Sequence, residues 1–468
     1  MESRSVIVKR RTNDGLPTAR RRWLAGRIVF WGLLIALAYG CAKSASSESQ
    51  KFIAWASTHA VPIDDLDSPL AGSAVVAFRS AVGFARVVGL GESRHDTREQ
   101  HLLKSQLVRQ LVEDLGFRTL IIEESFHHVE SLDRFVTTGE GDLRQIMNHL
   151  PGWYLWATEE MLEFVRWIRY FNEHRAPDQH IRLFGMDVTA PASGIREVLD
   201  NLMAAGIRTR LDAQSLGLDL QEGDLWPVTW QRYSALTDEQ RDLLASNHDE
   251  LIASLEAEKS RIVAALSESA YEHMRWLAEV GRWGNRLFST TDRATGGEIR
   301  DVGMAQTVLW ILAHQPRHSK AIVWAHNLHV ARSSFLLPGI AERKLEPMGV
   351  HLREFLAEDY IAIGGTFGQG RYGPDIPPGE RSFPVASPET MDGALAAVGL
   401  NAFILDLHGV PAGSAQEAWL GLDRQWRAQD MQSVLAPRAA FDLVYFVKNV
   451  TRAHPTPLAQ QRYQSLEP

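Results

Sequence analysis

The 468-residue chain has one cysteine, which excludes an internal disulfide framework and any cysteine-rich zinc module. It lacks a basic excess. Its 49 lysines and arginines face 57 aspartates and glutamates, for a net charge of -8. That balance argues against nucleic acid as the main partner, because phosphate binding needs a basic face. The charge-free apolar run at residues 28–39 is far shorter than the roughly 20 residues of a membrane-spanning helix. No G-x-S-x-G, HExxH or P-loop occurs, so those routes to catalysis have no anchor. What remains is ordinary globular composition, 45% hydrophobic and 23% charged, on a chain long enough for a large core.

The charge is unevenly spread. Residues 1–41 hold eight basic side chains, from Arg4 to Arg27, and two acidic ones, Glu2 and Asp14, a local charge of +6. A basic stretch before a short apolar run is the pattern of a secretory signal. Arg20-Arg21-Arg22-Trp23-Leu24 loosely matches a twin-arginine export motif, and Ala38-Tyr39-Gly40-Cys41 resembles a lipoprotein cleavage box. The expectation is an exported protein, periplasmic or membrane-anchored, with residues 1–41 as signal or anchor and Cys41 as a point of lipid attachment. Taking +6 away from -8 leaves 427 residues at -14.

Beyond that segment, apolar runs at 85–90, 118–122, 181–185, 321–324, 360–364, 402–407 and 441–447 are bounded by turn residues. Helical patterns separate them. Thr97-x-x-Gln100 and Thr237-x-x-Gln240 have capping-box spacing. Thr158 opens a helix with Glu159 and Glu160 in its first turn. Continuous apolar strands alternating with amphipathic helices predict a mostly parallel sheet covered on both faces. The expected fold is a three-layer α/β/α sandwich, its core made of 42–194 and 300–468. Residues 195–299 break the alternation and are expected to form a helical insertion beside the cleft.

In such sheets ligands sit beyond the carboxyl ends of the strands. Glu92, Ser93, Arg94 and His95 follow the first run, Glu123 and Glu124 the second, Asp187 the third, and His326, Asn327 and His329 the fourth. Titratable residues at one end of four strands suggest a catalytic cleft. A histidine of near-neutral pKa can take a proton from water, and a carboxylate on its other nitrogen would fix its tautomer. Ser93 stands as a minor nucleophile candidate. His95, His326 and His329 with Glu92 and Glu123 could instead hold a metal through mixed nitrogen and oxygen ligands.

The stretch Gly89-Leu90-Gly91-Glu92-Ser93-Arg94-His95 resembles the GLGE-x-x-H motif of the erythromycin esterase family. Leu132-Asp133-Arg134-Phe135, Phe184-Gly185-Met186-Asp187, Arg300-Asp301, Ala325-His326-Asn327-Leu328-His329 and Pro347-Met348-Gly349-x-His351 continue the likeness in order, over roughly residues 80–450. The resemblance implies hydrolysis of a macrolide lactone or related bulky ester by histidine-activated water, without a metal or other cofactor. It implies His95 as general base, Glu92, Glu123 and His326 as its catalytic companions, and His329, Lys104 and Arg300 as substrate-binding residues. Lys104 departs from the pattern, since the family commonly has arginine there. Lysine keeps the charge and loses the planar fork. The implied partner is a small ester or lactone. A metal-dependent hydrolase using the same cluster, and a non-catalytic protein binding haem or another ligand, are the alternatives.

Overall fold

Side chains alternate between the two faces of each strand, and that alternation builds two apolar layers. Val87 packs with Ile121, Val323 and Ala362 on one face of the sheet. Its neighbour Val88 packs with Leu120, Ile122, Ile322 and Ile361 on the other. Helices cover both layers, which makes the expected α/β/α sandwich. The computed structural model describes residues 46–221, 226–373 and 379–466. Residues 1–41, expected to be a signal or anchor, lie with Cys41 outside the described residues.

Nine strands form one sheet: β1 (Val61–Pro62), β2 (Val87–Leu90), β3 (Thr119–Ser125), β4 (Arg182–Asp187), β5 (Ala321–Trp324), β6 (Tyr360–Tyr372), β7 (Arg381–Phe383), β8 (Ala402–Asp406) and β11 (Leu443–Val450). Between the last two, β9 (Arg424–Ala428) and β10 (Met431–Leu435) make a separate hairpin. The order is β1-β8-β11-β6-β2-β5-β3-β4, with β7 on the far end of β6. From β11 to β4 every neighbouring pair is parallel; β8, β1 and β7 are antiparallel additions. The seven expected strands are all present. The four unexpected ones are short or lie off the parallel core. Gly368, Gly370 and Gly373 share the spacing of a dinucleotide fingerprint, but the first two lie inside β6, and among the described residues the next element is the strand β7, not a helix.

Among the described residues no strand falls between β4 and β5. Helices run there at Ala192–Ala204, Trp226–Ser234, Asp238–Ala257, Lys259–Ala265, Glu268–Ser289 and Arg293–Ala313. Positions 195 and 299 both fall inside helices. No helix among the described residues is long and apolar enough to cross a membrane. Thr237 and Gln240 form the expected capping box, and the Thr158 hydroxyl accepts from Met161 N. Thr97 differs: its hydroxyl caps no backbone amide of the helix Arg98–Glu113. Gln100 Nε2 donates to it at 2.8 Å, while Gln100 Oε1 accepts from Ser93 N at 3.1 Å. The glutamine reaches back to brace the loop that carries Glu92 and His95.

One irregularity in the ladder matters for the site. Ile122 faces Gly185 and Ser125 faces Asp187, so Glu123 and Glu124 together oppose the single residue Met186. Such a bulge bends the strand and re-aims its side chains. Consecutive strand residues normally point to opposite faces; here both carboxyl groups border the same cleft. Gly185 packs against the bulge, and a Cβ on it would press on the carbonyl oxygens of Glu124 and Ser125. Gly185→Ala is expected to destabilise the fold by about 1–3 kcal/mol, measured as a lower urea midpoint.

Candidate active site

The loop after β2 starts from two glycines chosen for space. A Cβ on Gly89 would meet the Tyr360 hydroxyl, and one on Gly91 the Asn327 side-chain oxygen. The tight approach lets the β5 loop lock onto its neighbours. Asn327 pairs with the Gly365 backbone through both ends of its amide, at 2.7 and 2.9 Å. The Asn327 backbone N–H donates to Glu92 O at 2.8 Å.

His95 Nδ1 donates to Glu92 Oε1 at 2.7 Å. That bond leaves Nε2 as the acceptor nitrogen. Nε2 lies 4.0 Å from Glu123 Oε1, too long for a direct hydrogen bond. Burial lowers the His95 pKa to about 4, against the pull of Glu123, so the ring is neutral at pH 7. Its side chain keeps 17% exposure and lines the cleft. The other oxygen of Glu92 pairs with Lys104 Nζ. Lys104 is wholly buried, with its ammonium 4.4 Å from the centre of the Trp324 ring. Burial pulls its pKa well below the ordinary value, against Glu123.

Glu123 is the second centre. Its Oε1 accepts from Arg300 Nη2 at 2.8 Å and lies 3.2 Å from His329 Nε2. Its Oε2 accepts the His326 backbone N–H at 2.8 Å. Burial alone would raise its pKa; His329, His95 and Arg300 hold it well below the ordinary value. Arg300 also clasps Asp187 through Nη2 at 2.6 Å and Nε at 3.1 Å. His329 Nδ1 bonds Asp301 Oδ1 at 2.7 Å. Burial opposes charge on His329, yet Asp301 and Glu123 push its pKa up to about 10, so it is an imidazolium. With Glu123, Asp187 and Asp301 close by, a second cation offsets charge that Arg300 alone would leave. The 3.0 Å approach of Arg300 Nη1 to His329 Nε2 is then two cations sharing Glu123.

The structure thus brings Glu92, His95, Glu123, Arg300 and His329 together, and revises the placement of two residues. His326 was expected to act on the substrate. Its Nε2 donates to Ser93 O at 3.0 Å and its Nδ1 accepts from Leu328 N at 3.1 Å, so neither nitrogen is free for a ligand. It holds the loops together, and its backbone amide orients Glu123. Lys104 was expected to bind substrate. It lies behind Glu92 and does not line the cleft.

Some cleft residues carried no role from sequence. The Glu124 oxygens accept from Ser125 N at 2.6 Å and Gly152 N at 2.8 Å. Burial nevertheless raises its pKa to about 8, helped by Asp187 and Glu123, so it carries a proton at pH 7. Its place directly after Glu123 was the available signal. On the opposite rim Arg94 binds Tyr372 Oη at 2.9 Å and Asp430 at 2.7 Å, and Arg452 pairs with Asp96. Trp230, Leu287, Leu337 and Ile340 add apolar walls to a cleft of about 630 Å³. Glu92, His95 and Glu123 each bring one metal-ligating atom within 4.8 Å of the other two. His326 is not part of that set, and Lys104 already neutralises Glu92.

The profile of a family described as Erythromycin esterase matches residues 112–450. Erythromycin esterase type II of Escherichia coli is 26% identical over 305 residues, covering 62% of this chain and 70% of the relative. A Bacillus cereus protein of known crystal structure superposes with a TM-score of 0.72 at 23% identity, over 87% of this chain and 99% of that one. An erythromycin esterase mutant, solved in its open conformation, gives a TM-score of 0.66 at 19% identity over 84% and 98%. Both likenesses extend to the fold.

The Lys104–Glu92 pair yields a direct test. Lys104→Met strands a buried carboxylate and is expected to cost about 3–5 kcal/mol in a urea titration. Adding Glu92→Gln removes the stranded charge, so the double variant is expected to regain most of that loss.

Proposed function

The chain belongs to the erythromycin esterase family, and we propose on that premise that it opens a macrolide lactone or similarly bulky ester with water activated at His95. Family membership makes it a hydrolase acting on esters or lactones. The observation that carries the mechanism is the divided use of the His95 ring: Nδ1 is held by Glu92 while Nε2 faces the cleft beside Glu123.

In the proposed reaction a water sits between His95 Nε2 and Glu123 Oε1. As it attacks the ester carbonyl, its proton passes to Nε2. Glu92 stabilises the imidazolium that forms, and Lys104 keeps Glu92 fixed and compensated. Negative charge grows on the carbonyl oxygen, where the Arg300 guanidinium and the protonated Glu124 supply donors from the cleft wall. His95 then returns the proton to the leaving alcohol. A cleft of about 630 Å³ suits a bulky ligand. Residues 195–299 are part of the same proposal as a helical insertion beside the cleft, which Trp230 and Leu287 support. So is export directed by residues 1–41, for which the +6 charge and the apolar run at 28–39 are the support.

His95→Asn is expected to lower kcat about 10²–10⁴-fold on an aryl ester or a macrolide, with KM little changed. Retention of wild-type kcat would sink the mechanism. The base works when unprotonated, so activity falls as pH drops through the His95 pKa. With that pKa lowered to about 4, kcat/KM is expected to stay flat from pH 7 to about pH 5. An acid limb near pH 6.5, the ordinary histidine value, would contradict it.

A further inference from the structure

A second group of metal-binding side chains lies apart from the cleft. His127 sits in the turn after β3, Glu130 in the first turn of the helix Val129–Thr138, Glu197 on Ala192–Ala204 and His273 on Glu268–Ser289. None of the four lines the cleft. His127 Nε2 is 2.9 Å from Glu197 Oε2. His273 Nε2 is 3.2 Å from Glu130 Oε1 and 3.5 Å from Glu197 Oε1. Donor atoms of His127, Glu130 and Glu197 all lie within 4.8 Å of one another. Ligands bound tetrahedrally to zinc at about 2.0–2.2 Å are about 3.3–3.6 Å apart, which the 2.9, 3.2 and 3.5 Å pairs approach; the wider gaps within the group would close on the ion, with His273 joining the other three.

Two further observations point inward. His127 Nδ1 contacts Ser193 Oγ at 2.9 Å, the outer partner that fixes a ligating histidine with its other nitrogen toward the centre. In the tautomer with the proton on Nδ1, Nε2 turns its lone pair toward the group, 2.9 Å from Glu197 Oε2. Glu130 Oε1 makes no well-aligned hydrogen bond, and its near neighbour is His273 Nε2 at 3.2 Å. Side-chain exposures of 24–37% leave the four groups reachable from solvent. Two imidazoles and two carboxylates suit a divalent ion of the zinc class, whose charge the carboxylates would balance.

We propose that His127, Glu130, Glu197 and His273 bind one divalent transition-metal ion. The ion would tie Glu268–Ser289 and Ala192–Ala204 to the turn after β3. The proposal is independent of the esterase reading.

The test uses the full-length, untagged protein, stripped with a chelator and titrated with zinc chloride in a calorimeter. Wild type and His95→Asn are expected to bind one equivalent, which separates this site from the Glu92–His95–Glu123 cluster. Glu197→Gln and His127→Ala are expected to lose it, and Ser193→Ala to weaken it about tenfold. Zinc is expected to raise the Tm of wild type and not that of Glu197→Gln. Should either ligand variant fold poorly, Ser193→Ala and His273→Gln carry the same comparison. Absence of binding, binding unchanged in these variants, or binding lost in His95→Asn would each overturn the proposal.

Discussion

A carboxylate removed from water must be neutralised where it stands, and Glu123 is the clearest case in this molecule. Its side chain is 5% exposed. Arg300, His329 and the His326 amide all converge on it, from the helix Arg293–Ala313 and the loop after β5. Arg300 in turn takes Asp187 from the end of β4, and His329 takes Asp301. One buried charge therefore fixes the ends of three strands and one helix. Removing a single partner would leave an uncompensated charge, so the cluster holds its geometry as a unit.

The same economy of charge sorts the three histidines. His95 has one carboxylate on Nδ1 and is otherwise buried, which keeps it neutral with an open acceptor. His329 lies between two carboxylates and is cationic. Burial and the neighbouring His95 depress His326, whose ring bonds only to backbone. An open acceptor, a fixed cation and a strut arise from one residue type because the neighbours differ.

The sheet core was legible because parallel strands buried on both faces read as continuous apolar runs. β9 and β10 were not, since their turn uses Gln429 and Asp430 rather than a glycine signal. Gln429 takes a φ of 55°, and its amide bonds Ser93 O at 2.8 Å, so tertiary contact supports that turn. In the site, motif order gave the participants. It did not give directions. Lys104 sits on the helix beside the His motif, and nothing in its spacing says that it points to Glu92 rather than to the cleft. The roles of Gln100 and His326 depend on contacts with Ser93, seven residues before Gln100 and far from His326 in sequence. Nor does the pair Glu123-Glu124 announce a bulge; regular alternation would have put one carboxyl on each face.

Lysine at position 104, where the family commonly has arginine, is now a question about Glu92. Every close polar partner of the ammonium is internal: Glu92 Oε2 and the carbonyl of Ala325, 3.4 Å away, with the Trp324 ring beneath. A compact ammonium satisfies one carboxylate oxygen while the other holds His95. A guanidinium would bring a planar fork and five donors into a space with no exposure. Its extra donors would compete with His95 for Glu92 or be left without partners. In the proposed mechanism the substitution acts through the strength with which Glu92 holds His95, one layer behind the cleft. On that proposal, choice of ester falls to the cleft lining, which includes Trp230, Leu287, Leu337 and Ile340 as well as Arg94, Arg300 and Arg452.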